Sequence, residues 1–444
     1  MEKSVSECPG PGLLAGAWVA LLALAAGVSS GAQPTNLAAI HRCGQTFLTW
    51  TEDGGTSGES YHVYRHDQVI TAGNLDQATR LTGTWGPVPE GSSAYHTERD
   101  RDPGGSPYPG LRNYVVTDLG PELADDTGLL VWTPAESGSA YYAVTTVTGG
   151  VEDRSDLGPG SSLQTAVAEQ VADPSPVLVW ASASGTSRVY TQFMDLATFN
   201  PTFERPSAGP VYAYNYWVGL PTPEMCGGSV PATLPLYLQI EGFGSRYQVS
   251  DASTWGWCAA GIWADDPRQS WYYGFSATHD YRTGPAPATG PIVNYTEQRL
   301  LRSIHDTVRS PLYAIDEQHV YVYGHSMGGS GALALGMRYP NVFAATYSSE
   351  PMTDYSTSGD GGGTDWRDDT VPKWGSLAAN LPIENRGRFA AHLAAYDGTG
   401  VWDWQDHQAQ LAARRADEMA SISLAHGARD DVIEWTTQGR PAYE

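Results

Sequence analysis

The stretch HVYVYGHSMGGSGALALG, residues 319–336, decides the fold prediction because it reads as a short buried strand that turns directly into a helix. At the junction, Gly324-His325-Ser326-Met327-Gly328 fits the pattern G-x-S-x-G, in which a sharp strand-to-helix turn lifts a serine hydroxyl clear of a sheet. Gly324 and Gly328 allow such a strained turn to close. The sequence therefore predicts that Ser326 is a nucleophile.

The residues around this turn predict alternating strands and helices. PLYLQIEGFGS (235–245) is an apolar strand that ends in glycines, and YTEQRLLRSIHDTV (295–308) carries apolar residues at helical spacing. FAATYSS (343–349) reads as a further strand. This alternation predicts an α/β fold for residues 174–444, with a mostly parallel sheet and helices on both faces.

Composition argues against several classes of partner. The formal net charge is −24, with only 25 lysines and arginines, and binding to nucleic acid requires clustered basic residues. The sequence shows no metal-ligand spacing and no glycine-rich phosphate loop, so neither a metal nor another cofactor is predicted.

The N-terminus predicts export. An apolar run from Leu13 to Val28 is followed by small residues, which indicates a signal peptide over residues 1–32, a secreted protein and no membrane contact after cleavage. A retained anchor is the alternative, although the run is short for a membrane span. Because export permits disulfides, we expect Cys226 and Cys258 to be bonded and Cys43 to stay free.

Residues 34–163 show a different pattern, in which short runs of alternating apolar and polar residues are separated by Gly, Ser, Asp and Pro. This pattern predicts an antiparallel β-sandwich. Trp50 after an early strand and YYAVTTVTGGVED (141–153) near the end resemble a fibronectin type III domain, interrupted by a Gly- and Pro-rich insertion at about 83–121. Residues 164–173 are expected to be a linker. A spacer role and a substrate-binding role both remain open for this domain.

A nucleophilic serine also needs donors for the tetrahedral oxyanion. The segment EGFG (241–244) ends a strand that precedes the turn, which is where one donor is expected. We predict an oxyanion hole formed by the backbone N–H groups of Phe243 and Met327.

From about residue 174 onward, the chain resembles secreted α/β-hydrolases of the esterase and polyester-depolymerase type. The resemblance rests on LQIEGFG, VYVYGHSMGGSGAL and LAHGARDDVIEW (424–435). The last stretch resembles the acid loop of that family, which implies that Asp430 orients a catalytic histidine, with Asp431 as the neighbouring candidate.

The family order is Ser, Asp, His, yet no histidine follows Asp430 in this sequence. Two interpretations remain open. Either the domain is truncated at its C-terminus and the chain as given lacks its catalytic histidine, or Asp397 is the acid and His426 the base.

A set of aromatic residues between the EGFG segment and the turn predicts either the wall of a binding cleft or part of the core. Its members are Trp255, Trp257, Trp263, Trp271, Tyr272 and Tyr273.

Taken together, these features predict a secreted serine hydrolase that cleaves carboxylic esters through an acyl-enzyme. The resemblance implies feruloyl or acetyl esters on plant polysaccharide, or a polyhydroxyalkanoate-type polyester, as substrate. A serine peptidase on the same fold and a non-catalytic extracellular binding protein with a degenerate hydrolase scaffold are the alternatives.

Overall fold

The computed structural model describes residues 33–53, 58–83, 86–96, 108–199, 212–253, 255–280, 285–358, 363 and 365–444. The predicted signal peptide lies outside these ranges. The chain divides into two compact units, the first comprising Met1–Ser93 and Ala124–Ser175 and the second comprising Ala94–Leu123 and Pro176–Glu444. No helix of the described ranges has the length and apolar character needed to cross a membrane.

The first unit contains two antiparallel sheets. One has the order β1-β2-β6, and the other has β4-β3-β7-β8, with β5 paired to β3 and β9 to β7. The strands are β1 Thr35–Arg42, β2 Gln45–Thr51, β3 Ser60–His66, β4 Thr79–Arg80, β5 Val88–Pro89, β6 Thr127–Trp132, β7 Gly138–Thr148, β8 Val151–Glu152 and β9 Val167–Glu169, with a 3₁₀ turn at Leu75–Gln77.

The buried rings of Trp50 and Tyr61 join these two sheets, because they lie on β2 and β3 with their centroids 5.5 Å apart. Membership of the fibronectin type III family remains a prediction.

The structure differs from the predicted boundaries in two places. Residues 164–173, expected to be a linker, contain β9, whose buried Glu169 accepts hydrogen bonds from Thr46 (2.6 Å) and Arg65 (2.7 Å) within the first unit. Most of the predicted insertion belongs to the second unit, where the Tyr95 hydroxyl bonds Thr191 at 2.8 Å. Both segments are held by buried polar contacts between residues far apart in the sequence, which local sequence patterns do not predict.

The second unit is built on an eight-stranded sheet with the order β10-β11-β12-β14-β13-β17-β18-β20. The three pairings from β10 to β14 are antiparallel and the four from β14 to β20 are parallel, so the sheet is mixed. The strands of the second unit, including three outside this sheet, are β10 Val177–Ala181, β11 Ser187–Phe193, β12 Ala213–Gly219, β13 Leu234–Ile240, β14 Ala260–Trp263, β15 Phe275–Ser276, β16 Ile292–Val293, β17 Ile315–His325, β18 Ala345–Ser349, β19 Ile383–Glu384 and β20 Ser421–Ala425.

Strands β15, β16 and β19 form a separate small sheet. The helices are α1 Tyr295–Arg309, α2 Met327–Arg338, α3 Arg367–Trp374, α4 Val401–Trp404, α5 His407–Ala413 and α6 Arg440–Tyr443, with 3₁₀ turns at Arg388–Tyr396 and a π-helical turn at Trp435–Gly439. This succession agrees with the predicted α/β class.

Helix α2 begins one residue after the end of β17, with Ser326 between them, and every residue of this helix is buried. Its backbone accepts hydrogen bonds from Thr346 (3.0 Å) and Ser348 (2.7 Å) of β18. A buried ion pair between Arg338 of α2 and Glu297 of α1 (2.5 Å) joins the two helices. These contacts fix the orientation in which α2 leaves the sheet.

The opposite face of the sheet carries a groove of about 600 Å³ lined by Tyr237, Tyr321, Tyr323 and Tyr347. Tyr347 is 41% exposed there. Helices were predicted on both faces, but within the described residues this part of the face is open. The groove residues do not include Ser326.

The cysteine prediction is half right. Cys226 and Cys258 form a disulfide with their α-carbons 4.7 Å apart, which confirms that pairing. Cys43 is also disulfide-bonded, so the expectation that it stays free is wrong.

Candidate active site

Ser326 occupies the turn between β17 and α2 with φ 57° and ψ −122°. A positive φ is uncommon for a residue other than glycine, and such strain persists only where the surroundings enforce it. Here the Ser326 N–H donates to the Ser349 carbonyl (2.8 Å), and the Ser326 carbonyl accepts from the Ser330 N–H (3.0 Å). The serine is thus fixed by the neighbouring strand on one side and by the helix on the other.

The two glycines of the pattern are required by close backbone contacts. A Cβ at Gly324 would lie 2.1 Å from the Gly328 carbonyl oxygen, and a Cβ at Gly328 would lie 2.3 Å from the Ile240 carbonyl oxygen. Neither distance is compatible with a side chain. The turn can therefore form as described only with glycine at both positions, as the sequence pattern predicted.

The predicted oxyanion segment lies beside the serine. A Cβ at Gly242 would be 3.6 Å from the Ser326 Cβ, and Gly242 accepts a hydrogen bond from the Ser245 N–H (3.1 Å), which closes a turn. Phe243 follows in that turn. Met327 is the first residue of α2, where backbone N–H groups have no intrahelical acceptor. Both predicted donors therefore belong to segments that adjoin Ser326.

The oxyanion segment carries an aromatic side chain, Phe243, that packs against other aromatic rings. The Phe243 ring is 40% exposed, and its centroid lies 5.4 Å from the Trp366 ring and 6.5 Å from that of buried Trp271. The Trp366 indole N–H also donates to the Val432 carbonyl (3.0 Å), two residues after Asp430. Sequence reasoning missed Trp366, which lies in no motif and contacts residues more than 60 positions away on each side.

The predicted aromatic set divides into two groups. Trp255 and Trp257 are 46% and 48% exposed, and Trp257 borders the groove on the open sheet face. The remaining four are buried and belong to the core: Trp263, Trp271, Tyr272 and Tyr273.

Asp430, the predicted acid, follows β20 in a loop that hydrogen bonds to itself. Its Oδ1 accepts from the N–H groups of Val432 (2.9 Å) and Ile433 (3.1 Å). Its Oδ2 lies 3.8 Å from Nε2 of His426.

The alternative pair of Asp397 and His426 is not assembled. The His426 side chain is fully buried, and its Nε2–H donates to the Ile433 carbonyl (2.8 Å). Asp397 instead accepts from the backbone and side-chain nitrogens of Asn385 (2.8 and 2.9 Å). Each residue has its own partners, and neither bonds the other or Ser326.

All eleven histidines lie in the described ranges, and none makes a hydrogen bond to the Ser326 hydroxyl. The nearest in sequence, His325, pairs through Nδ1 with Glu350 at 3.0 Å. Glu241 lies close enough to interact electrostatically with His325, and burial raises the pKa of the Glu241 carboxyl above its ordinary value. The structure thus brings the predicted nucleophile and the predicted oxyanion segment together, and no histidine of the described ranges bonds the Ser326 hydroxyl.

A comparison with known families finds one similarity in this region. Residues 266–443 match the model of a family described as "Putative esterase". The matched range contains Ser326 and Asp430 and covers 178 of the 444 residues. This region is therefore similar to that family, and its strands and helices agree with the predicted α/β class. No curated protein sequence matches the chain.

Several solved structures are similar to this chain at low identity. A puromycin-hydrolysing peptidase of Mycobacterium tuberculosis is 15% identical over 69% of this chain and 39% of its own length, with a TM-score of 0.33. The fluorophosphonate-binding serine hydrolase F of Staphylococcus aureus is 14% identical over 58% of this chain and 97% of its own, with a TM-score of 0.31. The S-formylglutathione hydrolase of the same organism is 14% identical over 54% of this chain and 78% of its own length, with a TM-score of 0.28. This chain therefore spans well under half of the mycobacterial peptidase.

Proposed function

We propose that this protein is a secreted serine hydrolase that cleaves carboxylic esters through an acyl-enzyme. The observation that carries the proposal is the geometry of Ser326, a strained serine between a parallel strand and a buried helix, with glycines packed at backbone contact on either side. This is the arrangement that exposes a serine hydroxyl at the top of a hydrolase sheet. The apolar N-terminal run supports export.

In the proposed reaction, the Ser326 oxygen attacks the ester carbonyl carbon and its proton passes to a base. The amides of Phe243 and Met327 donate to the oxyanion, the base returns the proton to the leaving alcohol, and water then releases the acid. The proposed base is a histidine oriented by Asp430. None of the eleven histidines bonds the Ser326 hydroxyl in the described structure. The base is therefore proposed only from the resemblance of residues 424–435 to an acid loop, and added imidazole takes its place in the test below.

The proposed substrates are feruloyl or acetyl esters of plant polysaccharide, or a polyhydroxyalkanoate-type polyester. The partly exposed ring of Phe243, within the oxyanion segment, supports an apolar or aromatic acyl group. The proposal includes no cofactor and no nucleic-acid partner, and the net charge of −24 supports the second point.

Labelling with a fluorophosphonate probe, together with hydrolysis of p-nitrophenyl butyrate, tests the proposal. With imidazole added as the base, the wild-type chain should be labelled and should hydrolyse the ester, while Ser326→Ala should lose both and retain its thermal unfolding temperature. Equal labelling and hydrolysis in the two proteins would refute the serine mechanism.

A non-catalytic binding protein is the second candidate, and the absence of an imidazole at Ser326 favours it. It predicts no Ser326-dependent labelling or hydrolysis, together with retention of the wild-type chain on insoluble polysaccharide or polyester. A peptidase on the same fold predicts Ser326-dependent cleavage of p-nitroanilides.

A further inference from the structure

The hydroxyl of Tyr272 holds the backbone that leads into the oxyanion segment. It accepts a hydrogen bond from the Glu241 N–H (2.7 Å) and donates one to the Glu241 carbonyl (2.9 Å). These two groups belong to the peptide units on either side of Glu241, and the second unit continues directly into Gly242. We propose that Tyr272 is a positioning residue that sets the oxyanion segment relative to Ser326, an inference that rests on the proposed function.

The same side chain also rests against helix α2. A Cβ at Gly331 of this helix would lie 2.6 Å from the Tyr272 Cβ, so glycine makes room for the tyrosine. A Cβ at Gly328 would lie 2.8 Å from the Glu241 carbonyl oxygen, which Tyr272 binds. Tyr272 thus packs between helix α2, which follows Ser326, and the end of β13, which leads into the segment of the proposed donor.

Tyr272 is itself held in a strained conformation. Its φ is +61°, and its N–H donates to Oδ2 of Asp266 (3.0 Å), which also accepts from the Ser270 hydroxyl (2.9 Å). Trp271 before it has a φ of +55°. Consecutive strained residues persist only where the surroundings determine them, and such strain concentrates at functional sites.

The hydroxyl stays a donor over the working pH range. Tyr272 is only 1% exposed, and this burial, together with the charges of Asp266 and Asp265, raises its pKa well above the ordinary value. The protonated hydroxyl can therefore donate to the Glu241 carbonyl throughout.

Oxyanion donors act only when they stand at hydrogen-bond distance from the position of the developing charge. Loss of the two bonds to Glu241 would leave the Phe243 amide less well placed in the transition state. It should scarcely alter ground-state binding, because Tyr272 is buried. The expected signature is a lower kcat with an unchanged KM.

The adjacent Tyr273 offers a matched control. It is equally buried at 1% exposure, and its hydroxyl has no hydrogen-bond partner among the described residues. Tyr272→Phe and Tyr273→Phe each remove one buried oxygen from neighbouring positions, and both variants should fold, as thermal unfolding would verify. With p-nitrophenyl butyrate, Tyr272→Phe should lower the Ser326-dependent kcat at least tenfold with KM within twofold. Tyr273→Phe should match the wild type.

Amide hydrogen exchange over Glu241–Gly244 separates failure of this inference from failure of the proposed function. In an active wild type, equal kcat values for the two variants would overturn the inference. Should the wild type show no Ser326-dependent activity, the proposed function fails and exchange decides the positioning role. Faster exchange at these amides in Tyr272→Phe than in Tyr273→Phe supports that role, and equal exchange overturns it.

Discussion

The predicted nucleophile turn, residues 324–328, and the acid loop both follow parallel strands of the same sheet, β17 and β20, which are separated by β18. The two connections are stabilised in different ways. At the nucleophile turn, Gly324 and Gly328 contact backbone atoms so closely that no Cβ fits. In the acid loop, residues 426–433, Asp430 accepts from amides two and three residues ahead, and His426 bonds the carbonyl of Ile433. The turn depends on close contacts with distant residues such as Ile240 and Ser349. The acid loop depends mainly on bonds among its own residues, with one bond from Trp366 to the Val432 carbonyl.

This difference bears on catalysis. Donors aimed at a developing charge must be held before the reaction, and contacts between distant segments provide that rigidity. A loop that satisfies its own polar groups can fold without reference to the nucleophile. The proposed nucleophile and the proposed oxyanion segment are therefore held together by the fold, whereas Asp430 is placed by hydrogen bonds within its own loop.

The largest expected effect concerns stability at the two sites. Gly324→Ala should cost about 3–5 kcal/mol in the free energy of unfolding, because its Cβ would overlap the Gly328 carbonyl oxygen at 2.1 Å. Gly427→Ala in the acid loop should cost less than about 1 kcal/mol, since its Cβ would meet Asp430 no closer than 3.9 Å. Urea unfolding measures both, and similar costs at the two sites would remove the contrast.

The same contrast explains what the sequence could predict. The G-x-S-x-G pattern identifies the turn because the residues needed for it are contiguous. The Tyr272 contact with Glu241 and the Trp366 contact with Val432 join positions 31 and 66 residues apart, and no local pattern records them. The family resemblance indicated Asp430 as the acid, but its partners became visible only in the fold.

Two further features were not predicted, for a related reason. These are the position of Ala94–Leu123 in the second unit and the strand within residues 164–173. Turn-forming composition predicts loops, whereas buried partners such as Thr191 for Tyr95 decide where a loop packs. The disulfide between Cys226 and Cys258 was predictable because few pairings were possible.

The second expected effect is on rate. A positioned general base contributes roughly 10²–10⁴-fold, and no histidine is positioned at Ser326 here. Added imidazole should therefore raise the Ser326-dependent hydrolysis of p-nitrophenyl butyrate by about tenfold, less than a positioned base because it must diffuse into place. The Ser326→Ala rate, measured at each imidazole concentration, is subtracted.

Variants of the two candidate acids extend this measurement. Asp430→Asn should reduce the imidazole effect several-fold, because a carboxylate stabilises the imidazolium that forms. Asp397→Asn should leave it unchanged, since Asp397 is occupied by Asn385. The assignment of Asp430 would be contradicted if Asp397→Asn reduced the imidazole effect more than Asp430→Asn does. It would also be contradicted if His426→Gln lost the basal rate, and either result would favour Asp397 and His426 as the acid and base.

The smallest expected effect probes Trp366, which touches the oxyanion segment through Phe243 and the acid loop through Val432. Trp366→Phe keeps an aromatic ring and removes the N–H donor to the Val432 carbonyl, at a cost of about 0.5–1.5 kcal/mol. Amide exchange should then accelerate at Val432 and Ile433 but not at Phe243. Trp255→Phe is the matched control, because its indole N–H donates to the Gln239 side chain (2.7 Å) instead of the acid loop. Acceleration at Phe243 as well would show that the two regions are coupled through Trp366, and that the acid loop is less independent than its internal hydrogen bonds indicate.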